Sequence, residues 1–323
     1  MALAIATTVL NPASNFVAWL DYHLQRCDVI LLYLDDPAKQ PIFEQLCGDR
    51  RVRLFAGATD APTMSPPNRL MLRQISNLKH AIALLLHPQQ LRELQDGGGA
   101  GEADAKHARN ARSKDVQRDE SDSHDAGWLL HIDQDKILYE DADNTTTTSS
   151  GSSWRTRSNV GHVVFTNHEA IPVAQESQDP FIDCIWFTLN QNSVPFMAYG
   201  NGKPALRISP GVEPDGVHRF KGYQGSAITL PIRTTAGGTE EQPVLLHYPY
   251  PSFMMWAAKF RLYGAFSNYW LDEENCPDML VFMLESRDVI QAAIARDDWT
   301  NAKHFSKRGF LARQQSNKVW TLA

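Results

Sequence analysis

Three short apolar runs, separated by helical segments, open the chain and restrict its fold more than any other feature. The runs cover Leu3 to Leu10, Asp28 to Leu34 and Arg51 to Ala56, and each has the length of a strand. The spacing of apolar residues between them predicts helices over about Pro12 to Gln25 and over Gln40 to Leu46. Strands that alternate with helices in this order predict a parallel sheet with helices packed on its faces.

The residues before the first predicted helix indicate where it begins. Asn11 is expected to cap the first helix, because its side chain can accept a hydrogen bond from a free backbone N–H and Pro12 suits the first helical position. A further, long helix is predicted from Pro66 to about His87, with apolar residues on one stripe. Its other face carries Arg73, Asn77 and His80, with Gln74 beside them. That face is either solvated or in contact with a nucleotide.

A fourth strand-like run begins at Gly127 and leads directly into two acids, Asp133 and Asp135. In an open α/β sheet, ligands bind beyond the carboxyl ends of the strands, so these acids are expected to face a site. Carboxylate oxygens suit a divalent cation that also holds a diphosphate. Because Asp-x-Asp also occurs in many acidic loops, a solvated turn is the alternative.

The second half of the chain gives a less regular pattern. Strands are predicted at Gly161 to Thr166, Lys203 to Ile208 and Val244 to His247, while Phe181 to Leu189 suits either a strand or a helix. Ser252 is expected to cap a helix that ends near Phe266. A last helix from Met279 to about Ala295 is expected to lead into a basic tail with Lys303, His304, Lys307, Arg308 and Arg313.

Composition limits the domain organisation and the partners. The formal net charge of −6 argues against a general affinity for nucleic acid or acidic membranes. Residues 93–126 and 141–159 contain few large apolar side chains, so we expect two disordered insertions. We therefore predict a single domain in which residues 1–92 form a nucleotide-binding half and residues 127–323 form a metal and acceptor half.

The cysteines and the hydropathy pattern indicate the environment. Four cysteines, Cys27, Cys47, Cys184 and Cys276, lie far apart and are expected to be free thiols. No apolar run approaches the ~20 residues of a membrane span. These features predict a soluble protein, cytoplasmic as the sequence stands or in the Golgi lumen if an anchor is missing from this chain.

Several landmarks together resemble a nucleotide-sugar glycosyltransferase of the GT-A fold. The likeness is closest to glycosyltransferase family 92 and its family-2-like relatives, the domain-of-unknown-function 23 group. The residues that carry it are Asn11, Trp19-x-x-Tyr22-His23, Asp35-Asp36, Arg73-Gln74, Asn77, Asp133-x-Asp135, Gly202-Lys203, His218, His247-Tyr248, Ser252 and Lys259. Three residues depart from the pattern: Pro12 replaces a glutamate, and Lys136 and Ile137 replace acidic and aromatic residues. Lys136 would weaken the local negative charge.

The resemblance implies a role for each part of the site. A manganese or magnesium ion would be held by Asp133, Asp135 and His247, with His218 as the second choice of histidine. A general base for an inverting reaction would be Glu213, Glu169 or Asp215. The nucleotide sugar would contact residues from both halves of the chain, namely Asn11, Asp35, Asp36, Arg73, Asn77, Asp133 and Lys259.

The implied function is metal-dependent transfer of a sugar from a nucleotide diphosphate sugar, with UDP as the expected nucleotide, to a glycan or protein acceptor with inversion. A catalytically inactive GT-A-like protein that serves as a binding or scaffold partner is the alternative, and Pro12 and Lys136 motivate it. A nucleotidyltransferase would need a glycine-rich basic loop after the first strand, and residues 11–14 do not form one.

Overall fold

The computed structural model describes residues 2–57, 66–87, 89–90, 127–139, 154–171, 179–188, 201–230, 243–249, 252–263, 281–314 and 319–321. The predicted insertion at 93–126 lies outside these residues. All statements below concern the described part of the chain.

The N-terminal part alternates strands and helices as predicted. It consists of β1 (Leu3–Val9), α1 (Phe16–Leu24), β2 (Val29–Leu34), α2 (Gln40–Leu46) and β3 (Val52–Ala56). Every residue of β2 is buried, as expected of a parallel strand that is covered on both faces. The strand boundaries agree with the predictions to within one residue.

The predicted start of the first helix is wrong. Helix α1 begins at Phe16, with Asn15 rather than Asn11 at the N-cap. The side chain of Gln134 holds the preceding segment in a non-helical conformation. Its Nε2 donates to the Asn11 carbonyl at 2.8 Å, and its Oε1 accepts from the Ala13 N–H at 3.1 Å.

The central sheet is seven-stranded and mostly parallel within the described part of the chain. Besides β1, β2 and β3, it contains β4 (Trp128–His131), β6 (Val160–Phe165), β9 (Lys203–Arg207) and β12 (Ser226–Leu230). The long helix α3 (Pro66–Leu86) precedes β4 in the chain. The strand order is β12-β6-β9-β4-β1-β2-β3, and only β9 runs antiparallel to its neighbours. The predicted α/β class, with a mostly parallel, GT-A-like sheet flanked by helices, is confirmed.

The two faces of the sheet carry separate hydrophobic layers. Successive side chains of a strand point to opposite faces, so Ile5 of β1 belongs to the cluster that contains Trp19 of α1. Ala4 and Ala6 belong to the cluster that contains Leu78 of α3. Helices α1 and α3 therefore cover opposite faces of the sheet.

A smaller sheet continues from the large one at the carboxyl ends of its strands. Strand β5 (Lys136–Tyr139) follows β4, and β7 (Asn167–Glu169) follows β6. Both pair with β13 (Val244–His247), which is antiparallel to β5 and parallel to β7. This pairing places His247 beside Lys136 on one side and beside Glu169 on the other.

Short elements complete the region around the two sheets. The segment Phe181 to Leu189, which suited either a strand or a helix, overlaps both. It includes part of a short helix, α4 (Pro180–Asp183), and a strand, β8 (Trp186–Thr188), which pairs with β14 (Val319–Thr321). Strands β10 (Glu213–Pro214) and β11 (Phe220–Lys221) form a small hairpin, and β10 packs against α3.

Three helices follow β13 and form their own hydrophobic cluster. They are α5 (Phe253–Tyr263), α6 (Val281–Arg296) and α7 (Thr300–Gln314). The predicted cap is present, because the Ser252 hydroxyl accepts from the Met255 N–H at 3.3 Å. The predicted basic tail is a helix instead. Helix α7 buries Phe305 in a cluster with Trp256, and its residues Lys303, His304, Lys307 and Arg308 are exposed.

Two other sequence predictions, on the second insertion and on the cysteines, can be compared with the structure. The second insertion was predicted to extend to Asn159, but Trp154 is 2% exposed and its ring packs edge-on against those of Trp128 and Phe165. The fold therefore resumes before that point. Cys27, Cys47 and Cys184 are free thiols, as predicted, and Cys276 lies outside the described residues.

We expect Gly202→Ala to destabilise the protein. Gly202 has a φ of +66°, and a Cβ atom there would overlap the carbonyl oxygen of Phe165. The expected loss is about 2–4 kcal/mol in the free energy of unfolding, measured by urea denaturation. Gly211→Ala is the control, because Gly211 also has a positive φ (+86°) but has open space around it. An equal loss in both variants would show that the overlap does not matter.

Candidate active site

The topology brings chemically active residues to one edge of the central sheet. Strands β1, β2 and β4 are parallel, so their carboxyl ends meet at this edge. Asp35 follows β2 there, and Asp133 follows β4 shortly after its last residue. Because β9 runs in the opposite direction, its first residue, Lys203, lies at the same edge, paired with Phe165 at the end of β6.

The turn that contains the two aspartates is fixed by hydrogen bonds. The Lys136 N–H donates to the Asp133 carbonyl at 3.1 Å, and the Tyr248 N–H donates to the Asp135 carbonyl at 2.8 Å. Gln134, between the two acids, binds the loop after β1 as described above. The side chains of Asp133 and Asp135 remain 27% and 24% exposed. Both acids therefore face a solvent-accessible space and are held close together.

Three lysines bind these two carboxylates. The Nζ of Lys136 lies between them, 3.0 Å from Asp133 Oδ2 and 2.8 Å from Asp135 Oδ1. The Nζ of Lys203 lies 2.9 Å from Asp133 Oδ2, and the Nζ of Lys259 lies 3.1 Å from Asp135 Oδ2. We refer to these five residues as the lysine–aspartate cluster. Lys136 and Lys203 are buried, so the cluster is part of the protein interior on one side.

The electrostatic environment keeps Asp133, Asp135 and Lys136 ionised. Burial alone would raise the pKa of the Asp133 carboxyl, but the ammonium groups of Lys136 and Lys203 hold it well below its usual range. Lys136 and Lys259 have the same effect on the pKa of Asp135. Burial acts to lower the pKa of Lys136, but the two carboxylates outweigh it and raise that pKa. Burial lowers the pKa of Lys203, and attraction to Asp133 offsets only part of this effect.

His247 contacts Asp135 with one ring nitrogen and Glu169 with the other. The Nε2 of His247 is 3.5 Å from Asp135 Oδ2, and its Nδ1 is 3.3 Å from Glu169 Oε1. Both side chains are buried. His218, the second choice for a metal ligand, donates from Nδ1 to the Gly202 carbonyl at 2.9 Å instead. His247 is therefore the predicted histidine that contacts Asp135.

The arrangement does not fit the expected manganese or magnesium ion. A shared cation would bind between the two aspartates, and the ammonium group of Lys136 already lies there. Within the described residues, no group of three or more His, Cys, Asp or Glu side chains could hold a metal ion. A metal would have to displace Lys136 and compete with two further ammonium groups. The metal set of Asp133, Asp135 and His247 thus stays a prediction that this geometry does not support.

The predicted nucleotide contacts interact with other parts of the protein. Arg73 of α3 forms a bidentate ion pair with Asp35, with Nη2 2.7 Å from Oδ2. The Asp36 carboxylate accepts from the Ala38 N–H at 3.0 Å, which is a turn-capping role. Asn77 Nδ2 donates to Thr8 Oγ1 at 3.0 Å. Among these, the Arg73–Asp35 pair lies at the edge of the sheet, and its side chains are 15% and 4% exposed, respectively.

The predicted bases lie in two different environments. Glu213 and Asp215 are exposed on the β10–β11 hairpin, and Glu213 lies 3.5 Å from Lys221. The hairpin contacts the last residue of β4, because the Nδ1 of His131 donates to the Val217 carbonyl at 2.9 Å. Glu169 is fully buried beside His247. An acceptor hydroxyl could reach the hairpin acids but not Glu169 in this conformation.

The sequence analysis named Gln74 beside the possible ligand-binding face of α3 but gave it no role, and it did not recognise how many lysines converge on the aspartates. Gln74 Nε2 approaches Asp133 Oδ1 at 3.4 Å. The Trp-x-x-Tyr-His pattern has a clear supporting role. Trp19 Nε1 donates to the Lys136 carbonyl at 2.8 Å, and the Tyr22 hydroxyl donates to the Leu138 carbonyl at 3.1 Å. Helix α1 therefore holds the strand that carries Lys136.

Comparison with known proteins gives a coarse functional indication. No family model matches the chain. The chain is 26% identical over 156 residues to a glycosyltransferase-like protein of Arabidopsis thaliana, and 28% identical over 150 residues to a second protein so named from the same plant. Each match covers 40% of this chain, and 27% and 31% of the two relatives. The chain thus spans less than a third of either relative.

These similarities support a glycosyltransferase-like protein, and the closer likeness to family 92 stays a prediction. In the described part of the chain, none of the helices has the length and apolar content that crossing a membrane requires.

Two buried histidines outside the cluster should make stability pH-dependent. Burial lowers the pKa of His23 and of His162 to about 4. An unfolded histidine has a pKa of about 6.5, so the unfolded state binds more protons between these values and stability falls as pH falls through this window. We expect each histidine to contribute about 1–2 kcal/mol to the loss between pH 7 and pH 5.

The variant His162→Phe tests this expectation. A phenylalanine keeps an aromatic ring against Phe220 and Tyr223 and removes the titrating group. Urea denaturation at pH 7 and pH 5 should show a smaller loss of stability than in the wild type. The exposed His304→Gln on α7 is the control and should lose as much as the wild type. An unchanged pH dependence in His162→Phe would contradict the assignment.

Proposed function

We propose that this protein is a glycosyltransferase that moves a sugar from a UDP-sugar to a hydroxyl group of a glycan or protein, with inversion at the sugar carbon. The observation that carries the proposal is the position of the lysine–aspartate cluster at the carboxyl ends of parallel strands, where open α/β sheets bind ligands. The similarity to two glycosyltransferase-like proteins supports the reaction class.

The two halves of the fold have separate roles in this scheme. Residues 1–92 would contact the nucleotide, with the Arg73–Asp35 pair at the end of β2 nearest to the base and ribose. Residues 127–323 would supply the lysine–aspartate cluster for the diphosphate and the β10–β11 hairpin for the acceptor. The cluster suits a negatively charged diphosphate, because its three lysines outnumber its two aspartates.

The reaction breaks the bond between the sugar C1 and the β-phosphate oxygen, and the electron pair leaves with UDP. The acceptor oxygen forms the new bond to C1, and its proton passes to a carboxylate base. Glu213 is our choice for that base because it is exposed on the hairpin that contacts His131. The occupied carboxylates also favour a second candidate function, an inactive binding protein, in which the cluster holds UDP without transfer.

Release of UDP from a panel of UDP-sugars tests the proposed function. We expect release from at least one donor, and Asp133→Asn and Asp135→Asn should lower turnover at least about tenfold by disturbing the charges around the leaving group. Asp49→Asn is the control, because it removes an equivalent carboxylate that pairs with Arg51 in the turn before β3. If none of the donors releases UDP while UDP itself binds, the protein is a binding protein rather than an enzyme.

The base assignment has its own test. Glu213→Gln should lower turnover about 100-fold and leave the affinity for UDP unchanged, because a general base acts on the acceptor and not on the nucleotide. Lys221→Met, which removes the ion-pair partner of Glu213, is the control and should keep most of the activity. If Glu213→Gln is fully active and a folded Glu169→Gln variant is not, the base is Glu169.

A further inference from the structure

The lysine–aspartate cluster has the charge of an anion site rather than of a metal site. Three ammonium groups face two carboxylates, which leaves one positive charge in the cluster. This count covers the five residues of the cluster; the next carboxylate, that of Glu169, contacts His247, with 3.3 Å between Oε1 and Nδ1. Burial lowers the pKa of His131 to about 3, so that ring adds no positive charge at pH 7. Solvent reaches the cluster on the side of the aspartates, which are about one quarter exposed.

The buried lysines also have hydrogen-bond donors that the cluster does not use. An ammonium group has three N–H donors. Within the described residues, the Nζ of Lys203 contacts only Asp133 Oδ2, and its side chain is 2% exposed. The Nζ of Lys136 uses two donors, one on each aspartate. Buried donors without partners are unfavourable, so these lysines are suited to bind an additional acceptor such as a phosphate oxygen.

Resting on the proposed function, we propose that Lys136, Lys203 and Lys259 bind the diphosphate of the donor sugar and stabilise it as it leaves, in the place that a divalent cation would take. Lys259 lies on α5, with Nζ 3.1 Å from Asp135 and 3.2 Å from the Pro249 carbonyl. Lys259 therefore binds Asp135, whereas Lys203 binds Asp133.

The chemistry balances without a further reactant. When the bond from the sugar C1 to the β-phosphate oxygen breaks, the electron pair remains on that oxygen and the negative charge of the diphosphate increases. Ammonium groups that are already in position stabilise this charge as it develops. The aspartates are positioning residues, because they hold the ammonium groups in place.

Binding of inorganic pyrophosphate and of UDP, measured by calorimetry on the full chain, tests the inference. Both should bind in the presence of EDTA, and excess Mn²⁺ should not strengthen the binding, because the protein site contains no metal. UDP release, if a donor is found, should likewise be insensitive to EDTA. Binding or release that requires Mn²⁺ would overturn the inference.

Lysine variants test which residues bind the anion. Lys259→Gln should weaken pyrophosphate binding about 10- to 100-fold, since it removes a charge-assisted hydrogen bond, and Lys259→Arg should retain most of it. Lys203→Met should weaken binding in the same range if its unfolding curve shows a folded protein. The exposed Lys303→Gln on α7 is the matched control and should bind as the wild type does. Equal affinity in Lys259→Gln and Lys303→Gln would overturn the assignment.

Asp135→Asn separates the two models by the sign of its effect. If lysines bind the anion, removal of a nearby negative charge should keep or strengthen pyrophosphate binding while turnover falls. If Asp135 binds a metal, pyrophosphate binding in Mn²⁺ should weaken. This split between affinity and turnover is a result that a merely structural role would not produce.

The outcomes for the inference and for the proposed function can be told apart. Lysine-dependent pyrophosphate binding without UDP release from any donor would support the anion site and contradict a glycosyltransferase. UDP release that depends on Mn²⁺ would support the glycosyltransferase and contradict the lysine mechanism.

Discussion

The contact of Lys136 with two aspartates is the interaction on which the candidate site depends. A buried ammonium group is stable only with paired charges around it, so Lys136 requires both Asp133 and Asp135 close by. The protein satisfies this requirement from several directions: Gln134 joins the turn to the loop after β1, and Trp19 holds the Lys136 carbonyl. The central sheet, α1 and the smaller sheet are therefore all involved in placing one charged group.

Much of the fold could be predicted from the sequence, because parallel strands and amphipathic helices leave regular patterns. Strands β1 to β3, helices α2 and α3, and the position of the acid pair after a strand were all recognisable. The lysine contacts were not, because they depend on long-range pairing. Lys203 reaches Asp133 only because β9 runs antiparallel, and no local pattern reveals strand direction. The start of α1 also depended on a distant residue, Gln134, so the local capping signal at Asn11 was misleading.

The candidate site differs from the one that its sequence resemblance implies. An Asp-x-Asp pair suggests negative charge that awaits a cation, whereas here the pair is bound by three lysines. The sequence showed that Lys136 departs from the family pattern. It did not show the effect on charge, because one lysine only reduces the negative charge of the aspartate pair, whereas three lysines make the cluster positive. The resemblance correctly indicates the class of fold, and the described contacts decide how its site is used.

The strand directions also determine where the chain can change in length. Strand β4 begins at Trp128 and β6 begins at Val160, both at the edge of the sheet opposite to the cluster, and β5 runs away from the cluster towards Tyr139. The long segments 93–126 and 141–153 enter the fold at these far ends. Related chains could therefore gain or lose residues there during evolution without moving the groups that would carry out the chemistry.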